Sequence, residues 1–367
     1  MGNFHLVGTI IVDDETLLTE AWVDGNVLSL VAPAPGNLGA NLETIEGCVV
    51  PGLVDAHCHA ALDSGGELGP ELTLKQAIAD RDAGTLLIRE PGSPVDTGFL
   101  DGIEGAPRVI RAGRFIARPK RYIRGYAREI DVADLPRVAA EEARAGDGWV
   151  KIIADWIDRD EGDLAPLWPA DVLAEAVAAV HAEGARMTAH AFSTESIDAL
   201  LDAGIDCIEH GTGMTREQLA RAAALGVPVV PTLLQVANFE SFAAQAQDKF
   251  PRYASRMRAM YQGRYEQAAA IWESGVPILT GTDAGGEIGH GYLPAECAEL
   301  ALAGIPAVDI LGAASWRARA FLGVDGIAQG ASADVVVYPT DPRDDISVLA
   351  HPTAIILRGE RVAQEVS

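Results

Sequence analysis

The stretch VVPGLVDAHCHAAL, residues 49–62, begins with a mostly apolar run and ends in two histidines separated by one residue. A near-continuous apolar run is typical of a strand covered on both faces, as in a parallel sheet. Side chains two residues apart share a face of a strand, so His57 and His59 point the same way and Cys58 points away. Imidazole is the commonest metal ligand in proteins. The pair therefore predicts a metal site, with two hydrogen-bonded structural histidines as the alternative.

A unit made of a helix-like segment, a glycine and a short apolar run recurs along the chain. Glycine readily takes the left-handed conformation that ends a helix. Five glycines precede such a run: Gly84, Gly184, Gly204, Gly226 and Gly275. With the runs at 49–59, 107–115 and 148–156, the chain has eight candidate strands, which is the number in a closed α/β barrel. We predict an α/β fold with a (β/α)8 TIM barrel over residues 51–324.

Short β-rich stretches flank the barrel at both ends of the chain. Neither end carries enough apolar surface to fold alone. Residues 1–50 and 325–367 are therefore predicted to pair in one small β-sandwich domain. The long segment 234–274 is predicted to be mostly helical. Thr73 with Gln76, and Thr215 with Gln218, fit the capping box that marks a helix start.

Charge and targeting signals narrow the class of partner. The chain has 28 Lys and Arg against 53 Asp and Glu, a formal net charge of −25. Such a field repels phosphate backbones and anionic membranes, so we expect neither nucleic acid nor a membrane as partner. No signal peptide pattern and no run of about 18 apolar residues is apparent, which predicts a cytoplasmic protein. The expected partner is a small-molecule substrate, and assembly into a homo-oligomer is left open. The four cysteines form no C-x-x-C pair and are expected to be buried thiols.

Metal-compatible side chains end several of the predicted strands. His190 ends the fifth, His210 the sixth and Asp283 the eighth. In an α/β barrel the carboxyl ends of the strands carry the chemistry. Lys151 lies inside the apolar fourth strand, where burial disfavours the charged ammonium. We therefore expect Lys151 to be either paired or chemically altered.

These motifs resemble the amidohydrolase superfamily of metal-dependent hydrolases, in particular its imidazolonepropionase-like and binuclear prolidase-like members. The resemblance covers nearly the whole chain and rests on PGLVDAHCH, VKII, TAH, IEHG, TGTDAG and GIAQGASADVVVYP. It implies two divalent metal ions, with zinc the first choice, although manganese, nickel or iron suit the same ligands. The implied ligands are His57, His59 and Asp283 for one ion, His190 and His210 for the other, and Lys151 between them as its N6-carboxylate.

The resemblance also implies a reaction. A metal-bridged hydroxide would attack a carbonyl, and Asp283 would act as catalytic acid and base. The predicted function is hydrolysis of an amide or lactam C–N bond in a dipeptide, N-acyl amino acid or cyclic amide. A lactonase or esterase using the same binuclear site, or a non-catalytic scaffold barrel, is the alternative.

Two positions depart from relatives within this superfamily. Mononuclear deaminases carry a glutamate three residues after the strand-five histidine, where this chain has Ser193. Prolidase-like members often carry a tyrosine just after the same histidine, where this chain has Phe192. The first difference argues against base deamination, and the second indicates a different substrate pocket.

A basic stretch offers a clue to the substrate. Residues 108–129 hold eight cationic side chains in a chain of strongly negative net charge. Arginine binds carboxylates through paired hydrogen bonds, so an acidic substrate is predicted. The candidate substrate-binding residues are Arg114, Tyr122, Arg124, Tyr126 and, after the eighth strand, His290. A solvated loop that forms salt bridges is the alternative for the arginines, and a structural loop role is the alternative for His290.

Overall fold

The computed structural model describes residues 2–33 and 42–362 as a mixed α/β fold. The strands, in chain order, are β1 (Asn3–Ile11), β2 (Leu17–Asp24), β3 (Val27–Ser29), β4 (Glu43–Pro51), β5 (Leu53–Asp55), β6 (Leu62–Asp63), β7 (Gly66–Glu67), β8 (Thr85–Glu90), β9 (Arg108–Arg111), β10 (Ile116–Ala117), β11 (Arg128–Glu129), β12 (Trp149–Ile153), β13 (Asp155–Asp158), β14 (Asp163–Pro166), β15 (Arg186–Ala191), β16 (Cys207–His210), β17 (Val229–Val230), β18 (Val335–Tyr338), β19 (Ala354–Leu357) and β20 (Glu360–Arg361).

The helices alternate with the strands over most of the chain. They are α1 (Pro70–Asp82), α2 (Leu135–Ala145), α3 (Ala170–Ala182), α4 (Thr194–Ala203), α5 (Arg216–Leu225), α6 (Leu233–Ala237), α7 (Phe239–Ala246), α8 (Pro251–Gln262), α9 (Arg264–Glu273), α10 (Leu293–Leu302), α11 (Ala307–Ala314) and α12 (Trp316–Leu322). Short 3-10 helices cover Gly98–Gly102, Val132–Asp134 and Ile346–Ala350. Among the described residues, no helix combines the length and the apolar character needed to cross a membrane.

Seven of the eight predicted runs contain a strand that pairs in parallel. β5, β8 and β9 form one group, and β10, β12, β15, β16 and β17 form another, with β11 at its edge. The two groups are linked through the third run, because β9 pairs with β8 while the following β10 pairs with β12. Parallel strands joined by helices bring their carboxyl ends to one side of the fold. The side chains that end these strands can therefore meet.

The eighth run, residues 276–285, bonds to both of its neighbours without forming a continuous strand. Leu279 N donates to Val229 O over 3.0 Å, and His59 N donates to Ala284 O over 2.8 Å. Asp283 has a φ of 57° and Gly285 a φ of 107°, values that interrupt regular strand geometry. The run therefore lies between β17 and the segment that follows β5.

Strands from both chain ends form one sheet of order β20-β19-β18-β4-β1-β2-β3. Val336 and Tyr338 on one face pack in a cluster with apolar residues of α10 and α11. Val335 and Val337 on the other face pack with Leu6 and other residues of β1 and β2. Both faces are thus buried, which explains the apolar run of β18. In the described ranges the two ends share this single continuous sheet, where the sequence predicts a sandwich.

Two glycines face each other where β1 and β4 run in parallel. Gly8 pairs with Gly47, and a Cβ on Gly8 would lie 2.1 Å from the carbonyl oxygen of Gly47. Gly8→Ala is expected to lower the free energy of unfolding by about 1–3 kcal/mol more than Gly184→Ala, because the methyl group forces the strands apart. Gly184 also has a positive φ, of 74°, but open space around it. Urea denaturation measures both losses, and equal losses would contradict this packing.

The segment between β17 and the eighth run is helical, as predicted, and forms α6 to α9. The capping box at Thr215 and Gln218 is confirmed by reciprocal hydrogen bonds at the start of α5. The predicted box at Thr73 is wrong, because α1 begins earlier, at Pro70. Proline is favoured at the first position of a helix, and the Thr73 hydroxyl donates to Gly69 O within the first turn.

Candidate metal centre

The side chains predicted as ligands lie together beyond the strand ends. Their positions are His57 and His59 after β5, Lys151 in β12, His190 in β15, His210 at the end of β16 and Asp283 in the eighth run. The ring centroid of His57 is 5.2 Å from that of His59 and 5.2 Å from that of His210. The rings of His190 and His210 are 4.7 Å apart. The four imidazoles and Lys151 are buried, and the Asp283 side chain is 12% exposed.

The ring nitrogens that face inward form two sets. His57 Nε2 lies 2.9 Å and His59 Nε2 3.4 Å from Asp283 Oδ1. His210 Nε2 lies 3.1 Å from His190 Nδ1. Each set contains the residues that the resemblance to the amidohydrolase superfamily assigns to one ion. Imidazole nitrogen and carboxylate oxygen are donors that zinc and related divalent ions accept.

The opposite nitrogens of three of these rings lie against oxygen atoms. His59 Nδ1 is 3.0 Å from Gly92 O, and His210 Nδ1 is 2.7 Å from Thr232 Oγ1. His57 Nδ1 lies 3.2 Å from Glu209 Oε1 but without the geometry of a hydrogen bond. Metal-binding histidines characteristically donate their second ring N–H to such an oxygen, which fixes the tautomer and leaves the other nitrogen free to coordinate. The arrangement therefore fits divalent ions bound at the inward nitrogens.

Burial keeps three of the four rings, those of His59, His190 and His210, in the form that can coordinate. It lowers the pKa of His59 to about 4 and that of His210 to about 3. It also lowers the pKa of His190 well below its usual range. These three rings are therefore uncharged at pH 7 and keep a lone pair. Burial also acts to lower the pKa of His57, but the carboxylates of Glu209 and Asp283 outweigh it and raise that pKa. Burial alone would raise the pKa of Asp283, but the adjacent His57 lowers it, so this carboxylate is charged.

Thr232 supports His210 from a strained backbone position. Its φ of 48° is in the left-handed region, which β-branched residues rarely adopt. The buried carboxyl group of Glu296 on α10 accepts hydrogen bonds from the next two backbone amides, those of Leu233 and Leu234. A remote helix thus holds the turn that aims the threonine hydroxyl at the ring.

Thr232→Ala is expected to weaken divalent-ion binding by about 10- to 100-fold, because His210 loses the oxygen that orients it. Competition with a chromogenic chelator measures the affinity. Thr232→Ser keeps the hydroxyl and is the matched control. Equal affinities for the two variants would contradict the orienting role.

Two further buried carboxylates fix neighbouring strand ends. Asp55 accepts hydrogen bonds from His57 N and from the amide and hydroxyl of Thr282, which joins the first and eighth runs. Asp155 accepts from the amides of Phe192 and Ser193 just after β15. Buried carboxylates that accept several such bonds rigidify the backbone they bind. The histidines and Asp283 therefore project from fixed backbone.

Three buried charged side chains, those of Lys151, Glu209 and Arg89, contact one another beside His57. Lys151 pairs with Glu209, and Glu209 Oε1 also lies 3.3 Å from an Arg89 nitrogen. Lys151 is 2% exposed, and the other two side chains are fully buried. Thus Lys151 is paired in this structure, one of the two outcomes that the sequence leaves open.

The sequence reasoning missed Glu209 and Arg89. Both interrupt apolar runs, IDCIEHG and TLLIREPG. The argument applied to Lys151, that a buried charge needs a partner, applies equally to them. The sequence alone could therefore have predicted that Glu209 and Arg89 are buried and need partners.

Of the predicted substrate-binding residues, Tyr122 lies nearest the histidines. Its ring is 5.9 Å from that of His190 and 4.7 Å from that of Trp156. Burial, with the nearby carboxylates of Asp283 and Glu209, raises the pKa of Tyr122, so its hydroxyl stays protonated. A hydrogen-bond donor therefore adjoins the centre.

The other predicted substrate-binding residues have different surroundings. Arg114 Nε donates to Tyr126 O within the basic stretch, whereas the Tyr126 hydroxyl donates to Asp63 O and so ties this stretch to β6. Arg124 is exposed. His290 Nδ1 lies 2.8 Å from Asp80 Oδ2 and 3.6 Å from the Cys58 sulfur. The structure thus brings Tyr122 to the histidines, and substrate contact by the other four stays a prediction.

The two positions that depart from relatives also lie close by. The Phe192 ring is 4.2 Å from that of His190 and 4.7 Å from that of His210. Ser193 bonds to Asp155 through its amide and its hydroxyl. Phe192 therefore contributes an apolar wall beside the centre. Ser193 instead helps Asp155 to fix the backbone after β15.

Comparison with known proteins gives consistent findings. The model of the Amidohydrolase family matches residues 48–362. An uncharacterized protein of Mycobacterium tuberculosis is 48% identical over 347 residues, which cover 94% of this chain and 92% of that protein.

Solved structures agree with this match. A prolidase complexed with N-methylphosphonate-L-proline has a TM-score of 0.82 at 22% identity, covering 99% of this chain and 100% of that one. A Xaa-Pro dipeptidase with bound methionine has a TM-score of 0.81 at 21% identity, covering 98% and 100%. At these identities the likeness concerns the fold.

Proposed function

Because the chain belongs to the amidohydrolase family and is a hydrolase acting on carbon–nitrogen bonds, we propose that it cleaves an amide bond in a small, carboxylate-bearing substrate. The observation that carries this proposal is the convergence of inward ring nitrogens on Asp283, with the opposite nitrogens held by oxygen atoms. We further propose that the eighth run closes the strands into a barrel whose rim carries the site.

The residues that would hold two divalent ions fall into the two sets described above. His57, His59 and Asp283 would bind one ion, His190 and His210 the other, and Lys151 would join them as its N6-carboxylate. We propose zinc for both, because neutral imidazoles dominate the donor set. Such ions, when bound, lower the pKa of water to about 7 and polarise a carbonyl group.

Asp283 is the proposed catalytic acid and base. The adjacent His57 lowers its pKa, so it is unprotonated at neutral pH and can accept the proton of the attacking water. It then delivers that proton to the amide nitrogen as the C–N bond breaks. An amine leaves poorly unless it is protonated, so this transfer matters more for an amide than for an ester.

The substrate class follows from the walls of the site. The Tyr122 hydroxyl is placed to donate a hydrogen bond to a substrate oxygen, and Phe192 offers an apolar surface beside His190. We propose that Arg124 supplies a cation for the substrate carboxylate. Dipeptides and N-acyl amino acids combine these features, and the two solved relatives in fold are described as a prolidase and a Xaa-Pro dipeptidase.

The test is a substrate panel applied to protein of measured metal content. We expect the metal-loaded chain to hydrolyse at least one dipeptide, N-acyl amino acid or lactam, faster than a lactone of matched shape. A chelator should abolish turnover, and added zinc should restore it. No turnover of any amide by a chain carrying two ions would contradict the proposal. Faster turnover of the matched lactone would reassign the reaction to an ester bond.

A further inference from the structure

A second cluster of ligand-type side chains lies on the other side of the first strand end. Cys58 separates His57 from His59 in the sequence, but its sulfur contacts Asp80 of α1 and His290, which follows the eighth run. The sulfur is 3.6 Å from Asp80 Oδ2 and 3.6 Å from His290 Nδ1, and the last two atoms are 2.8 Å apart. Three elements remote in sequence therefore bring a sulfur, a nitrogen and an oxygen together.

Two of these three distances have the spacing of neighbouring ligands on one tetrahedral ion. Zinc binds cysteine sulfur at about 2.3 Å, histidine nitrogen at about 2.0–2.1 Å and carboxylate oxygen at about 2.0–2.2 Å, which places tetrahedral ligand atoms roughly 3.3–3.6 Å apart. The two distances to sulfur match this spacing. The nitrogen–oxygen distance is shorter and would need to open by a few tenths of an ångström.

Burial and charge also suit a cation. Cys58 is fully buried, and the side chains of Asp80 and His290 are each 4% exposed. A thiolate and a carboxylate together carry two negative charges, which neutralise a divalent ion in a buried place. The mixed set of sulfur, nitrogen and oxygen favours zinc over magnesium or calcium, which prefer oxygen.

We propose that Cys58, Asp80 and His290 form a zinc-type site separate from the centre at His57, His59 and Asp283. On binding, the Cys58 thiol gives up its proton to solvent, and the sulfur bonds to the ion. An adjoining cavity of about 320 Å³, lined in part by Ala79, Ile288 and His290, has room for water as the fourth ligand. The ion ties α1 to the loop that follows Asp283.

A purely structural contact is the competing explanation. Asp80 Oδ1 accepts a hydrogen bond of 2.7 Å from Gly291 N, so Asp80 and His290 already hold this loop to α1 without an ion. That explanation requires no bond between sulfur and metal. The two explanations therefore differ in one observable, the state of the Cys58 sulfur in the metal-loaded protein.

Replacing the bound metal with cobalt tests directly whether the Cys58 sulfur is bonded to the ion. The centre proposed for catalysis contains no sulfur ligand, so a thiolate-to-cobalt charge-transfer band in the near ultraviolet can come only from a cysteine. The full-length chain is stripped of metal, titrated with Co²⁺ and followed by absorption. We expect the band to grow to one cobalt–sulfur bond per chain, to vanish in Cys58→Ser and to persist in Cys297→Ser, a buried cysteine elsewhere.

Zinc content gives a second measure. Cys58→Ser should retain one zinc fewer per chain than Cys297→Ser. His290→Gln keeps the thiol and should shift the cobalt midpoint at least tenfold upward, which covers the case in which Cys58→Ser fails to fold. Absence of the band in the native chain, its survival in Cys58→Ser, or an unchanged midpoint in His290→Gln would each overturn the proposal. None of these results depends on whether the catalytic proposal holds.

Discussion

Asp283→Asn is expected to lower kcat on any amide substrate by about 10²- to 10⁴-fold, the usual contribution of a positioned acid and base. The amide side chain keeps the shape of the carboxylate but cannot accept a proton. It also loses the charge that faces His57 Nε2 at 2.9 Å and His59 Nε2 at 3.4 Å. KM should change less than kcat, because the lost interaction acts chiefly in the transition state.

Measuring the bound metal distinguishes the role of Asp283 as a metal ligand from its role in proton transfer. Turnover is expressed per chain that carries the full complement of ions, so weaker metal binding does not imitate a loss of proton transfer. Asp202→Asn, at an exposed carboxylate on α4, is the control and should behave as the native chain. A fully loaded Asp283→Asn protein with native kcat would remove the proposed proton transfer.

The strand-end residues could be predicted because two simple rules of strand geometry and topology determine their positions. Alternation along a strand sends His57 and His59 to one face, and parallel strands joined by helices bring their carboxyl ends to one side. His190 and His210 follow from the same rule. The sequence alone could not supply the oxygen atoms behind these rings, because Gly92 O and Thr232 Oγ1 depend on turn geometry.

Loops were predicted less well than strands. The basic stretch approaches the histidines through Tyr122, but Arg114 turns back to bond Tyr126 O in its own loop. Such local pairing depends on the path of the loop, which composition does not determine. The hairpins β6–β7 and β13–β14 are absent from the sequence expectations for the same reason, since each is short and carries little apolar periodicity.

Glu209→Gln is expected to lower the free energy of unfolding of the metal-free chain by about 3–5 kcal/mol, the usual cost of breaking a buried ion pair. Glu209 is the shared anion of Lys151 and Arg89, so its neutral replacement leaves two buried cations uncompensated. Urea denaturation in the presence of a chelator measures the loss. Glu90→Gln is the matched control, because burial raises the pKa of Glu90 to about 7 and Glu90 Oε1 has no hydrogen-bond partner to lose.

A double-mutant cycle with Lys151→Met connects this cost to the chemical state of Lys151. In the metal-free chain the two changes should couple favourably by about 0.5–3 kcal/mol, because removing the lysine charge relieves the loss of its partner. In the chain loaded with zinc and bicarbonate, an N6-carboxylated Lys151 is itself an anion, and the coupling should shrink or change sign. The same coupling in both states would mean that Lys151 remains an ammonium ion paired with Glu209, and the proposed carboxylation would be wrong.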